Sequence, residues 1–90
     1  MEIEEICRKY VDFGKEEMKT LIYCLVEDST VYEEKTAYGV SVEIPEKGES
    51  VCISDLTTYK EEAEHLLDLL ATGFVTPVAV KDIVEEWLGR

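Results

Sequence analysis

Six consecutive residues, Leu21-Ile22-Tyr23-Cys24-Leu25-Val26, are apolar or aromatic. β-Branched and aromatic side chains favour extended backbone because they fit a pleated surface. A strand with one dry face alternates apolar and polar residues; a run this apolar on both sides belongs in the middle of a sheet. The sheet is therefore expected to be built around 18–27, with Glu27-Asp28-Ser29-Thr30 ending the strand.

Downstream, Glu33-Glu34-Lys35 falls in a polar connection. Tyr38, Val40, Val42 and Ile44 then alternate with Gly39, Ser41 and Glu43, a period of two with one buried and one wet face. Pro45-Glu46-Lys47-Gly48 closes that strand as a turn, and Val51-Cys52-Ile53-Ser54 returns as its short antiparallel neighbour. Upstream, Glu2 to Phe13 reads two ways. Ile3, Ile6, Tyr10 and Phe13 recur at helical spacing, but Tyr10, Val11 and Phe13 favour strand, and Gly14-Lys15-Glu16-Glu17 reads as a turn into Met18. A first strand hairpinned to the central one is favoured; a short N-terminal helix is the alternative.

At Leu56-Thr57-Thr58 the period changes from 2 to 3.6. Thr57 or Thr58 can cap a helix, and Thr58 with Glu61 has capping-box spacing. Ala63, Leu66, Leu67 and Leu70 form its apolar face, opposite Glu61, Glu62, Glu64 and Asp68. Gly73 suits the residue just past the helix end. Thr76 caps a second helix with Pro77 at its first position, and Val80, Ile83, Val84, Trp87 and Leu88 make its stripe. The predicted architecture is α+β. A small antiparallel meander of three to four strands (about 3–13, 18–27, 36–45 and 50–55) precedes two C-terminal helices (about 58–72 and 77–88) in a single domain, 1–90. The helices are expected on the sheet face carrying Tyr38, Val40, Val42 and Ile44.

Composition narrows the function classes. The 90 residues carry 21 acidic and 9 basic side chains, a net charge of −12, which repels phosphate backbones and anionic membrane surfaces. No apolar run approaches the roughly 18–20 residues that span a bilayer. The acidic start, Met1-Glu2-Ile3-Glu4-Glu5, is unlike a secretory signal, so a cytoplasmic location is expected. Cys7, Cys24 and Cys52 are odd in number, far apart and without a CxxC, which argues against a disulfide scaffold and a finger-type zinc site. Cys24 and Cys52 are expected to be small buried hydrophobes. Cys7 lies beside Arg8 and Lys9, which favour a thiolate where the sulfur is exposed.

Catalytic signals are sparse. His65 is the single histidine, with Glu61 and Glu62 at i−4 and i−3, and its simplest reading is a solvated or edge-of-core helix residue. There is no Gly-rich phosphate loop, nucleophile elbow or calcium-loop spacing. Asp55, between strand and helix, and Asp82, beside Lys81, have structural readings. No catalytic, cofactor-binding or metal residue is assigned, no cofactor is expected, and the chain is expected not to be an enzyme.

With helices over one sheet face, part of the central strand still points to the other. Ile22, Cys24 and Val26, or their neighbours if the register is opposite, mark this strip as the candidate interaction surface, to be covered by the N-terminal segment or by a second chain, a homodimer being the simplest case.

Several segments together, Tyr23-Cys24-Leu25-Val26-Glu27-Asp28, Tyr38-Gly39-Val40, Ile53-Ser54-Asp55-Leu56-Thr57 and Thr76 to Trp87, resemble a family of short uncharacterised (domain of unknown function) proteins of Firmicutes, the clostridia and their relatives. The likeness runs from about Tyr10 to Leu88 and implies an intracellular bacterial protein with no assigned reaction. Three functional readings follow. The first is a non-enzymatic acidic protein acting through a protein partner or self-association, without direct nucleic-acid or membrane binding. The second is an acidic nucleic-acid mimic that occupies a DNA- or RNA-binding protein. The third is a small ligand binder or enzyme using His65.

Overall fold

The structure, a computed structural model, describes residues 1–14, 17–29 and 35–89. Four strands, β1 (Glu2–Asp12), β2 (Met18–Ser29), β3 (Thr36–Ile44) and β4 (Glu49–Thr57), form an antiparallel meander in the order β1-β2-β3-β4. Two helices follow, α1 (Lys60–Thr72) and α2 (Pro77–Leu88). The α+β architecture matches the sequence-based expectation, and Leu21 to Val26 lies in an interior strand with all six side chains buried. The N-terminal segment is a strand, not a helix. The expected turn at 14–17 is closed by Phe13 N–H donating to the Glu17 carbonyl at 3.1 Å, although Lys15 and Glu16 lie outside the described residues. So do Glu33 and Glu34 of the polar connection.

The helical spacing of Ile3, Ile6 and Tyr10 has a strand explanation. β1 carries an irregularity between Glu5 and Cys7: Glu5 is opposite Cys24 and Cys7 is opposite Tyr23, leaving Ile6 as the extra residue. The bulge switches which residues face which side. Ile3 and Glu5 before it share a face with Arg8 and Tyr10 after it, so a period of two is broken once and imitates a longer one.

The helices cover one face. Leu21, Tyr23 and Leu25 of β2 and Val40, Val42 and Ile44 of β3 join Ala63, Leu66, Leu67 and Leu70 of α1 and Val80 and Val84 of α2 in a single buried cluster. α1 packs on β2, β3 and β4, and α2 on β3 and β4; the helices touch β1 least. The Tyr23 hydroxyl donates to the Val75 carbonyl at 2.9 Å, tying the central strand to the α1–α2 connection. Burial pushes its pKa up to about 12, with Cys7 nearby adding to the shift. Thr20, at the start of the buried run, is held through Glu46: its N–H donates to one carboxylate oxygen at 3.0 Å and its hydroxyl to the other at 2.7 Å. Those bonds, led by the hydroxyl's, hold the Glu46 carboxyl below the usual carboxylate range.

Three local expectations are corrected. α1 begins at Lys60, and its N-terminal turn is organised by Thr57, not by a Thr58–Glu61 box: Thr57 Oγ1 accepts from the Tyr59 N–H at 3.1 Å and donates to Glu62. Gly73 is not the left-handed residue that ends α1. The chain continues one position, Phe74 takes φ 51, and its N–H and that of Val75 return to the Ala71 and Leu70 carbonyls at 3.1 and 3.0 Å. Asp55 does not lie between strand and helix; it lies inside β4 at φ 57.

The Asp55 conformation belongs to a second bulge, on β4 opposite Gly39, where the register shifts between Tyr38 and Val40. A Cβ on Gly39 would stand 2.0 Å from the Ile53 carbonyl oxygen and 2.7 Å from Ser54 Cα, both backbone atoms that cannot swing aside. Gly39→Ala is expected to destabilise the protein by about 3 kcal/mol or more, the scale of a severe overpacking; urea unfolding checks this. Tyr23→Phe leaves the Val75 carbonyl without its partner and is expected to cost about 1–2 kcal/mol at neutral pH. Because the folded-state pKa is raised, the Tyr23 contribution is fully present below the ordinary value of 10 and is lost as pH climbs towards 12. Urea midpoints measured through that window should therefore fall more steeply for the parent than for Tyr23→Phe.

Candidate functional site

Alternation along β2 sends Leu21, Tyr23 and Leu25 to the helices and Ile22, Cys24 and Val26 to the opposite face. Across the sheet, Ile22 lies between Arg8 and Glu43, Cys24 between Glu5 and Ser41, and Val26 between Ile3 and Gly39. The structure thus brings the three predicted residues together on the face that the helices leave alone. Their own side chains are nevertheless closed to water, at 7, 9 and 0% exposure. They occupy an interior strand, with the longer side chains Arg8, Glu5 and Ile3 beside them on β1. Beside Ile22 and Cys24, Arg8 and Glu5 form an ion pair at 2.8 Å. This pairing, led by the hydrogen bond between them, lowers the Glu5 pKa.

Large exposed apolar side chains near this face belong to β1 and its hairpin. Ile3, Tyr10 and Met18 are 55, 66 and 58% exposed, with Ile6 at the bulge and Phe13 at the turn also open. Sequence reasoning did not place these residues at a surface. Their signal was present in the irregular spacing, which was ambiguous between helix and bulged strand. β1 is also an edge: its inner side pairs with β2, and among the described residues no strand pairs with its outer side. Lys9 reaches the helix side, with Nζ 5.5 Å from the centre of the Phe74 ring.

The cysteines divide by position. Burial pushes the Cys24 thiol up, and Glu5 and Glu43 reinforce the shift. Cys52 was expected to be buried, but it is exposed, because β4 is an edge strand and Cys52 shares the row of Ser41 and Cys24 on the helix-free face. Two strand spacings, roughly 10 Å, separate Cys24 from Cys52, too far for a disulfide. Cys7 points to the helix side and is half-buried.

His65 is exposed on α1. A cavity of about 410 Å³ lies among Glu2, Ile3, Glu4, Leu25 and Glu27. A groove of about 380 Å³ between β4 and α2 is lined by Val51, Ile53, Leu56, Val84 and Leu88 with Lys81, Glu85 and Cys52. His65 lines neither. Among the described residues, no group of three or more His, Cys, Asp or Glu side chains is placed to hold a metal ion. Among the described residues, carboxylates stand on both sheet faces, Glu4 beside Leu25 and Glu5 beside Cys24, and on the exposed sides of both helices. No described helix is long and apolar enough to cross a membrane. Under native conditions an alkylating reagent should modify Cys52 first and Cys24 last, at least about tenfold more slowly, with equal reactivity restored in denaturant; peptide mass spectrometry over time reads the order.

No curated protein and no solved structure matches the chain. A family model does match, over residues 1–90. The chain therefore belongs to the family of unknown function DUF6514.

Proposed function

We propose that this protein works by binding another protein chain and not by catalysing a reaction. The observation that carries this reading is the concentration of exposed Ile3, Ile6, Tyr10 and Met18 on β1 and its hairpin, beside a sheet edge and a face that the helices do not cover. Exposed apolar side chains grouped along an open edge are the usual mark of a contact surface. The buried residues Ile22, Cys24 and Val26 form the next row of the sheet, directly across the ladder from Arg8, Glu5 and Ile3. His65 lines neither of the two cavities described, and among the described residues no group of side chains is placed to hold a metal ion. A net charge of −12 favours a protein partner over nucleic acid or an anionic membrane. Three free thiols fit a reducing compartment such as the cytoplasm.

Because Ile3 and Tyr10 are exposed, Ile3→Ser/Tyr10→Ser should keep the parent's circular dichroism and melt within a few degrees of it. The same double variant should lose the protein that the parent retains when each is coupled to resin and challenged with lysate of the source organism. Retention unchanged by the substitutions would overturn the assignment to this surface.

A further inference from the structure

Resting on that reading, we infer that the partner is a second copy of this chain, joined β1 to β1, antiparallel, about a two-fold axis between Ile6 and Cys7. The two four-stranded sheets become one of eight strands.

The charge order of β1 favours this occupant. Its acidic residues Glu2, Glu4 and Glu5 come first and its basic residues Arg8 and Lys9 come second. An antiparallel copy reverses the order, so each acidic half meets a basic half. With the axis between Ile6 and Cys7, Glu5 faces the partner copy's Arg8, Glu4 faces its Lys9, and Ile3 faces its Tyr10, each contact occurring twice. Opposite charges and apolar–aromatic pairs directly across a ladder are stabilising, and like charges there are not.

The bulge supplies an independent geometric argument. Residues directly opposite in an antiparallel ladder must point to the same face. Ile3 and Tyr10 differ in parity, as do Glu5 and Arg8, so a regular strand would put the members of each pair on opposite faces. The irregularity between Glu5 and Cys7 places all four on the helix-free face and leaves Glu4 and Lys9 on the helix side. The register that matches charges is thus a register that matches faces. β4, the other edge, offers no such match. It presents Ser50 and Cys52 on the same face and is interrupted by the Asp55 bulge.

Sedimentation velocity on the full chain, from about 1 µM to about 1 mM, tests this. Glu5 and Arg8 are both exposed, so reversing either should leave the fold intact by circular dichroism. The parent is expected to dimerise. Glu5→Arg alone sets arginine against arginine, Arg8→Glu alone sets glutamate against glutamate, and each should weaken dimerisation at least about tenfold. An equimolar mixture of the two variants should dimerise as the parent does, because both arginines of the one variant then meet glutamates of the other across the axis. Neither variant retains the internal Glu5–Arg8 pair, so recovery in the mixture reports contacts between chains only. A parent that stays monomeric throughout, or a mixture that stays monomeric, overturns the second-copy assignment. If such a monomer still captures a different protein, and Ile3→Ser/Tyr10→Ser abolishes capture, the protein-contact reading stands while this one falls.

Discussion

Burying Leu21, Tyr23 and Leu25 requires a layer over them, and α1 and α2 supply it. Each side chain of this size contributes about 1.5–3 kcal/mol on leaving water, against a total stability of roughly 5–15 kcal/mol for a domain. Dividing the strand between edge and interior would forfeit much of that, so β2 sits inside the sheet with β1 and β3 on either side. The Tyr23 hydroxyl shows how closely the lid is fitted to the strand. It emerges where the α1–α2 connection turns, and the Val75 carbonyl is aimed at it by the left-handed Phe74 that ends α1.

The two bulges give the sheet its individuality. On β4, extra residues and the positive φ of Asp55 carry the backbone across Gly39, which only a residue without Cβ can accommodate. On β1, the extra residue rotates the second half of the strand so that Ile3, Glu5, Arg8 and Tyr10 look the same way. One bulge closes a surface; the other aligns one.

Most of the fold was legible in the residues. The apolar run of β2, the strict alternation of β3, the turn at Pro45 to Gly48, the Thr76-Pro77 helix start and the two helical stripes all act locally, through side-chain direction and backbone preference. The candidate surface was only half legible. Alternation divided β2 into two rows, but which row faces the helices, and how far the other is exposed, is set by strand pairing and packing. Cys52 differs for the same reason: β3 has two neighbours and β4 has one, and no local pattern in Val51-Cys52-Ile53-Ser54 says which.

By itself, then, the sequence determined the kinds of element, their order, the face each helix buries and the acidic charge, because these follow from periodicity and composition along the chain. Only the tertiary structure decided that β1 is an open edge, that its misleading spacing is a bulge, that Gly39 lies under β4, and that Tyr23 is anchored at Val75. Each of these depends on which residues meet across distant parts of the chain, a matter of register and packing that no single segment encodes.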